Sequence, residues 1–430
     1  MFNSLFKAIN MQQSDFAKNT LYLSLGTFVA QALPFLFYPL LGRIYSPEDF
    51  GVLVILQTVI QILSIFFSGS FENAILITKS KEEEINLIKL IIIRAFLLFC
   101  TTTIIIPLIY VFLDPEWDKS VKSWLLLAPF IAFCVVVFNC FNEWSVKEKR
   151  FTGLAINKII NSSSIALSKV FFGLLSLFRS GLVAGEYLGK LITAIVCAYK
   201  IFKSDKKYLL TPISLRKIQQ LYWSFFSFPK VMMADQILNN IGGTLHVYFI
   251  SNFFSSKELG YFSMAATLLT VPVTVISAAI KDVFRQRAQI DYSTKGNCRP
   301  FFIKILKPLI VAAIIVSVPL YWFIPIGFEF FLGPKWSLSA DYAQIMIPMF
   351  ISNFVSQSLG GIFIIAKKFN ISLLWQIYVI VTSSLAFIVG AYYFKSLMST
   401  LLLYSAARTS AYIVYGMLSF HYAKNGNEIE

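Results

Sequence analysis

Charged side chains inside long apolar segments are the residues of this 430-residue chain best placed to do chemistry. Moving an isolated cation into hydrocarbon costs about 3 kcal/mol or more, so such a cation needs a polar cavity, an ion partner or a bound anion. The lysines and arginines in such segments are Arg94, Lys169, Lys190, Lys230 and Arg408. We therefore expect a buried cationic environment among these segments.

Lys169 and Arg408 are the deepest of these cations. Lys169 precedes Arg179, at the end of its segment, by ten residues, which is about 15 Å of helix. Arg408 follows Lys395 by thirteen residues, or about 20 Å. At that depth a long side chain no longer reaches the membrane surface easily. Both residues are therefore the first candidates for binding an anionic substrate, and a buried ion pair with a carboxylate inside the membrane is the alternative.

The other cations differ in their local surroundings. Lys230 follows Pro229, whose missing N–H breaks a helix and frees backbone groups that are tolerated only beside a cavity. Lys230 is therefore a candidate binding residue. Arg94 lies about two turns inside its segment and is also a binding candidate, with snorkelling to the inner surface as the alternative. Glu186 and Lys190 are four residues apart, a spacing that predicts a structural ion pair.

Two titratable residues share the segment that contains Lys230. Asp235 is five residues from Lys230, which is out of register for an ion pair on one helix face. A lone carboxylate in a membrane favours its protonated form and can exchange a proton, so Asp235 is the first candidate for ion or proton coupling. His246 titrates near neutrality when unperturbed and is the second candidate. The alternative for His246 is a hydrogen-bonded packing residue.

Apolar helices are the elements that must position these residues. Hydrophobic residues make up 57% of the chain and charged residues 14%, against about 25% charged in soluble domains. This composition excludes a soluble enzyme and a disordered chain. A bilayer crossing needs about 20 apolar residues, which predicts an all-α integral membrane protein with about twelve transmembrane helices. Their approximate limits are 20–42, 50–71, 88–113, 123–143, 154–178, 182–202, 222–252, 260–281, 304–326, 341–366, 371–394 and 397–421.

The distribution of Lys and Arg between the loops predicts the orientation. If the N-terminus is cytoplasmic, 25 of the 37 basic residues fall on the cytoplasmic side and 7 on the outer side. This asymmetry follows the positive-inside rule and places both termini in the cytoplasm. The net charge of +15 is thereby explained by topology, and we expect no nucleic-acid partner.

An internal repeat divides the chain into two halves. SPEDFG at 46–51 matches SSKELG at 255–260, and FLDPEW at 112–117 matches FLGPKW at 331–336. The matches predict a six-helix lobe over 1–210 and a second over 211–430. Because six crossings is an even number, the two lobes are parallel repeats, an arrangement that places a substrate path at their interface and favours alternating access.

Three segments carry a resemblance to a known family. They are LGRIYSPEDFGVL (41–53), FENAILITKSKEEE (71–84) and SSKELGYFSMAATLLTVPVTVISAAI (255–280). Together they resemble the O-antigen (Wzx-type) polysaccharide flippases of the multidrug/oligosaccharidyl-lipid/polysaccharide exporter superfamily. The resemblance implies a multi-pass protein of the bacterial inner membrane that serves lipopolysaccharide or related polysaccharide biosynthesis. Its cargo would be an undecaprenyl-pyrophosphate-linked oligosaccharide, moved from the cytoplasmic to the periplasmic leaflet.

The resemblance also bears on the candidate residues and partners. A pyrophosphate or an acidic sugar becomes the expected ligand of Lys169, Arg408, Lys230 and Arg94. A polysaccharide polymerase and a chain-length regulator become expected partners, beside the lipid-linked oligosaccharide and membrane lipids. Relatives often carry an acidic–basic pair late in the seventh span, where this chain has Leu245 and His246. No charge-pair role is therefore transferred to those positions.

Two other functions are open alternatives. A small-molecule multidrug antiporter would need an acidic cavity, whereas the charges within the spans are mostly basic. A membrane O-antigen polymerase would need a large outer loop, whereas the longest predicted one covers only 327–340. The sequence contains no P-loop, G-x-S-x-G or H-E-x-x-H motif, and its two histidines and five cysteines lack metal-ligand spacing. We therefore expect no enzyme activity, cofactor or metal.

Overall fold

A computed structural model of the chain describes residues 26–113, 119–175, 180–209, 215–366 and 368–424. These residues form helices joined by short turns, and they include no β-strand. The all-α fold predicted from the sequence is thereby confirmed. The helices are α1 Gly26–Ile44, α2 Pro47–Ser68, α3 Lys81–Leu113, α4 Lys119–Leu125, α5 Ala128–Lys147, α6 Phe151–Leu175, α7 Gly181–Leu209, α8 Leu215–Ser224, α9 Met233–Phe253, α10 Ser256–Lys295, α11 Arg299–Leu332, α12 Ser337–Ser358, α13 Ile362–Ile365, α14 Phe369–Val389 and α15 Leu397–Tyr422.

Nine of the helices in the described ranges are long and apolar enough to cross a membrane. Three further long helices, α9, α12 and α15, do not reach the hydropathy of the other nine, because polar residues interrupt them. The predicted total of twelve crossings therefore stays a prediction. Arg408 lies on α15, and Asp235 and His246 lie on α9.

The predicted seventh span, 222–252, is broken in the structure. Helix α8 ends at Ser224, a π-helical turn covers Phe228–Met232, and α9 begins at Met233. Pro229 lies in the π-helical turn, where it has no N–H to donate and its ring crowds the preceding turn. The break expected beside Lys230 is therefore present, and it shortens the continuous helix to 21 residues.

The chain divides into two compact units. The first contains the described part of Met1–Ile44 together with Ile55–Asn240, and the second contains Tyr45–Val54 together with Ile241–Glu430 as far as it is described. Helices α2 and α9 each continue from one unit into the other. The boundary predicted at 210–211 lies outside the described residues, as do residues 114–117 of the FLDPEW segment.

In the first unit, two glycines let α7 pack directly on α6. A Cβ atom at Gly185 would lie 2.5 Å from the backbone N of Lys169, and one at Gly189 would overlap the Cα of Ile165. Glycines four residues apart form the small-residue pattern that allows close approach of membrane helices. This packing fixes the register of α6 against α7 at the level of Lys169.

In the second unit, the two repeat motifs begin two helices in the same way. The Ser46 Oγ accepts a hydrogen bond from the N–H of Asp49 at 3.3 Å, and the Ser255 Oγ accepts one from the N–H of Glu258 at 3.1 Å. Each serine therefore acts as an N-cap, and each acidic residue occupies the third helical position, as in a capping box. Helices α2 and α10 thus start at equivalent positions of the repeat.

These two helix starts cross at a pair of equivalent glycines. A Cβ atom at Gly51 would overlap the carbonyl oxygen of Ser256, and one at Gly260 would overlap that of Pro47. The contact is reciprocal, because Gly51 matches Gly260 and Pro47 matches Ser256 in the repeat. Only glycine therefore fits at either position, because the backbone of the other helix lies where a Cβ atom would be.

Replacing Gly260 with alanine is expected to lower the melting temperature of the detergent-purified protein by about 1–3 °C. The added methyl group has backbone atoms as neighbours, so the helices must separate, and overpacking of this kind costs about 1–3 kcal/mol. The matched control is Gly416→Ala in α15, where a Cβ atom would meet nothing within 4 Å. Equal melting temperatures for the two variants would contradict the close contact of α2 and α10 at Gly260.

Candidate functional site

A buried group of three charged residues lies between α6 and α7. The Glu186 Oε2 is 2.7 Å from the Lys169 Nζ, and the Glu186 Oε1 is 3.1 Å from the Lys190 Nζ. The Glu186 side chain is only 4% exposed, and both of its oxygens are paired. The Glu186–Lys190 pair predicted from the i, i+4 spacing is present. The structure also places Lys169 in the buried ion pair that was its alternative role.

This charged triad carries one net positive charge, since two lysines share one carboxylate. Close packing at Gly185 and Gly189 holds Lys169 opposite Glu186. A buried group of opposite charges, such as these two lysines and one glutamate, is stable only when every charged atom has a partner. The triad can therefore present a fixed positive charge inside the first unit without leaving an ion alone in an apolar environment.

A cavity of about 290 Å³ with a mixed polar and apolar lining lies beside the triad in the first unit. Lys190 contributes to its wall, and most of the other polar lining groups are amides, which both donate and accept hydrogen bonds. The lining residues are Gln57, Ile60, Gln61, Cys134, Val135, Phe138, Asn139, Asn161 and Lys190. Such a wall suits a neutral, hydroxyl-rich ligand or ordered water.

Of the four cavity amides, the sequence indicated only Asn161, as one of several polar residues in a span expected to line a water-filled space or to pack on another polar span. Gln57 and Gln61 are four residues apart on α2 and therefore share a helix face. Two glutamines on one face of a mostly apolar helix are the sequence feature that could have indicated a polar cavity at this face. Asn139 and Asn161 lie on α5 and α6, and only the tertiary packing brings them to the same cavity.

Arg408, on α15 in the second unit, is held by tyrosines. Its Nη2 donates to the Tyr412 hydroxyl at 2.9 Å, and its guanidinium lies 5.3 Å from the Tyr412 ring and 6.0 Å from the Tyr404 ring. Among the described residues, no carboxylate lies at ion-pair distance from Arg408, and its buried Nε has no acceptor. Arg408 is therefore a cation whose charge is not balanced by a carboxylate in the described part of the chain.

His246 lies in the same unit as Arg408. Its ring packs against the Phe262 ring with centroids 4.9 Å apart, and it is close enough to Arg408 for the two side chains to interact electrostatically. This contact is one of ring packing, and the alternative role of His246 as a hydrogen-bonded packing residue stays a prediction.

Arg94 is engaged by the backbone of the first unit. Its Nη1 donates to the carbonyl oxygens of Phe66 at 2.8 Å and Phe67 at 2.5 Å, at the C-terminal end of α2. The chain then turns through Gly69, which has a φ of +61°. A cation in this position satisfies terminal carbonyls and complements the helix dipole. The visible contacts of Arg94 are thus those of a helix cap.

Lys230 and Asp235 are exposed in the first unit near the start of α9. Lys230 belongs to the π-helical turn, and Asp235 belongs to the first turn of α9, where the helix dipole favours a carboxylate. In the described part of the chain, neither side chain forms an ion pair. The next residue, Gln236, accepts a hydrogen bond from the Ser70 Oγ at 3.1 Å.

Comparison with known proteins identifies the family. The description of that family is polysaccharide biosynthesis protein, and its model matches residues 16–284. The match covers more than half of the chain. The chain therefore belongs to this family, in agreement with the resemblance seen in the sequence.

A curated relative is the succinoglycan biosynthesis transport protein ExoT of Rhizobium meliloti (strain 1021). The two chains are 26% identical over 266 residues. The match covers 60% of this chain and 50% of the relative, so the chain spans about half the length of the curated protein it matches.

Solved transporter structures share the fold. The lipid II flippase MurJ in an inward closed conformation superposes with a TM-score of 0.71 at 15% identity, over 93% of this chain and 87% of that one. A MOP-superfamily transporter from Pyrococcus furiosus gives a TM-score of 0.58 at 15% identity, over 95% and 96% of the two chains. The fold is therefore that of the MOP-superfamily transporters, and the chain is a multi-pass membrane protein.

Proposed function

We propose that this protein is a flippase for an undecaprenyl-pyrophosphate-linked oligosaccharide, an O-antigen or related repeat unit. It moves the cargo from the cytoplasmic to the periplasmic leaflet of the bacterial inner membrane by alternating access. The observation that carries the proposal is Arg408, a cation without a carboxylate partner in the described part of a transporter fold. Membership of the polysaccharide biosynthesis family supports a saccharide as the class of cargo.

The chemistry of the cargo explains why Arg408 suits it. A pyrophosphate carries about two negative charges that hydrocarbon does not solvate. The guanidinium group presents its donors as a planar fork that matches phosphate oxygens. The rings of Tyr404 and Tyr412 and the Tyr412 hydroxyl hold the guanidinium in place, so its orientation is set before the cargo binds. Lys230, which is exposed in the first unit, is a separate candidate for contact with an anionic part of the cargo.

The first unit is proposed to contact the sugars. Amide groups in the 290 Å³ cavity can donate to and accept from hydroxyl groups, and Lys190 adds a positive charge for an acidic sugar. No bond is made or broken in this process, so the protein is a transporter and not an enzyme. A multidrug antiporter for cationic compounds is disfavoured, because Arg408 and the net charge of the triad would repel the substrate.

Deletion of the gene tests the cargo. Lipid-linked sugars extracted from the deletion strain are expected to contain complete single repeat units by mass spectrometry, while surface polymer disappears. Complementation with the intact gene is expected to restore the polymer and remove the precursor. A deletion strain with normal surface polymer and no accumulated lipid-linked units would contradict the proposal.

Cysteines at the two ends of α10 test the proposed orientation, in which both termini are cytoplasmic. Lys257 and Lys295 are exposed and lie 38 residues apart, about 57 Å along the helix, which exceeds the bilayer core. In intact cells an impermeant thiol reagent is expected to label Lys257→Cys and not Lys295→Cys. Labelling of position 295 from outside would contradict the orientation.

The native cysteines give little background in this experiment. Four of the five, Cys134, Cys140, Cys197 and Cys298, are buried, and Cys100 is half-buried. Burial raises the pKa of the Cys298 thiol to about 11, so little reactive thiolate forms at neutral pH. A Cys100→Ala background is therefore sufficient.

Asp235 is proposed as the coupling residue. Asp235→Asn is expected to slow export severalfold and to weaken the response of export to a collapsed proton gradient, since the amide cannot exchange a proton. Precursor accumulation with and without an uncoupler measures both effects. A His246→Gln variant, tested in parallel, distinguishes the two coupling candidates. Undiminished uncoupler sensitivity in Asp235→Asn would exclude Asp235.

A further inference from the structure

A second cavity lies on the first unit, away from the amide-lined cavity. It measures about 510 Å³, is open on one side and is lined by residues of α3, α5 and α7. Its lining is almost entirely hydrocarbon and aromatic, and Lys89 is the one charged residue in the wall. The lining residues are Lys89, Ile92, Ile93, Phe141, Ala198, Tyr199 and Phe202. We refer to it as the α3–α7 groove.

Cations mark one end of the α3–α7 groove. Lys89 is buried, with 8% of its surface exposed, and lies on the N-terminal side of Ile92 and Ile93 along α3. At the corresponding end of α7, the Lys206 Nζ lies 5.8 Å from the centroid of the Phe202 ring. Lys206 is exposed and therefore accessible to a ligand at the mouth.

The groove becomes apolar away from those cations. Along α3 the lining changes from Lys89 to isoleucine. Along α7 it runs from Phe202, whose ring is in contact with Lys206, to Ala198. Ala198 and Lys206 are eight residues apart, about 12 Å of helix. Under the proposed orientation, the start of α3 and the end of α7 face the cytoplasm. The groove is therefore cationic at the cytoplasmic surface and apolar toward the bilayer interior.

A membrane lipid with an anionic headgroup matches this arrangement, since its charged end would meet the cations and its acyl chains would meet the apolar lining. We propose that the α3–α7 groove binds an anionic glycerophospholipid of the cytoplasmic leaflet. Its phosphate lies between Lys89 and Lys206, and one acyl chain follows Ile92, Phe141 and Ala198. Anionic headgroups of that leaflet attract basic residues at the membrane surface. The site is independent of the cargo, and its occupant stabilises the first unit because it binds only the folded state.

Native mass spectrometry of the full-length protein tests the site. Phosphatidylglycerol is expected to bind at least fivefold more tightly than phosphatidylcholine with the same acyl chains. Lys206→Gln is expected to remove most of this preference without unfolding the protein, since Lys206 is exposed. The charge-matched control is Lys200→Gln, because the Lys200 Nζ contacts the Asn157 Oδ1 at 3.3 Å and so faces α6 and away from the groove.

A second variant tests the apolar part of the groove. Ala198→Phe is expected to reduce the binding of phosphatidylglycerol at least fivefold while every cation is retained. Equal binding of the two phospholipids, or equal losses in Lys206→Gln and Lys200→Gln, would overturn the proposal. Displacement of phosphatidylglycerol by equimolar undecaprenyl phosphate would also overturn it, because the groove would then hold the lipid tail of the cargo. These outcomes do not depend on whether the protein flips an oligosaccharide.

Discussion

Replacing Glu186 with glutamine is expected to remove most of the folded protein from the membrane. The carboxylate is 4% exposed and is the shared partner of Lys169 and Lys190. Its loss leaves two ammonium groups facing each other in a buried site, and removing one partner of a buried pair costs about 3–5 kcal/mol. Size-exclusion chromatography of a fluorescent fusion and the melting temperature of the purified protein measure the effect.

Two further variants separate charge from packing at the triad. Lys190→Gln keeps the Glu186–Lys169 pair and is expected to retain most of the folded protein. The double variant Glu186→Gln/Lys169→Gln removes one of the opposing cations and is expected to recover part of the stability lost in Glu186→Gln. A Glu186→Gln protein with wild-type amount and melting temperature would show that the triad is not structural.

Lys169→Gln leaves Glu186 paired with Lys190, so protein amounts are expected to stay near normal in that variant. The triad then becomes neutral instead of singly positive. If Lys169 also serves substrate binding, as the sequence predicts, surface polysaccharide falls while protein amount does not.

Replacing Arg408 with glutamine is expected to reduce export at least tenfold at normal protein levels. A hydrogen bond to a charged group contributes about 1.5–3 kcal/mol, and the loss of the forked guanidinium removes more than one such contact to the pyrophosphate. Arg408→Lys keeps the charge without the fork and is expected to be intermediate. Quantified surface polymer and accumulated lipid-linked precursor measure export.

The control for Arg408→Gln is Lys257→Gln, which removes an equal charge at the exposed start of α10. It is expected to export normally. Tyr412→Phe removes the hydroxyl that accepts from Arg408 and is expected to reduce export by less than Arg408→Gln, because the ring contact remains. Wild-type export in Arg408→Gln would exclude Arg408 as a cargo residue.

Sequence patterns predicted the local features of this molecule well. The break at Pro229 and the Glu186–Lys190 pair depend on residues within one turn of each other, so spacing alone defines them. The repeat of SPEDFG and SSKELG was also visible in the sequence, whereas the caps that Ser46 and Ser255 form within these motifs are seen only in the structure. The all-α fold follows from composition, because hydrocarbon requires every backbone group to be paired within its own segment.

Features that depend on tertiary contacts could not be predicted in this way. The partner of Lys169 is on another helix, and only the glycines at 185 and 189 hint at how closely the two helices approach. Arg94 caps α2 because the chain reverses at Gly69, a turn that hydropathy does not reveal. The number of crossings is also a tertiary property, since polar helices such as α9 and α15 need neighbours to be stable in a membrane.

Transport in reconstituted vesicles tests the central claim most directly. A fluorescent undecaprenyl-pyrophosphate-linked oligosaccharide is placed in one leaflet of vesicles that contain the purified protein, and a glycosidase reports its arrival in the other. We predict arrival well above that in protein-free vesicles, and arrival near that background in vesicles containing Arg408→Gln. Wild-type vesicles that move the lipid no faster than protein-free vesicles would contradict the assignment as a flippase.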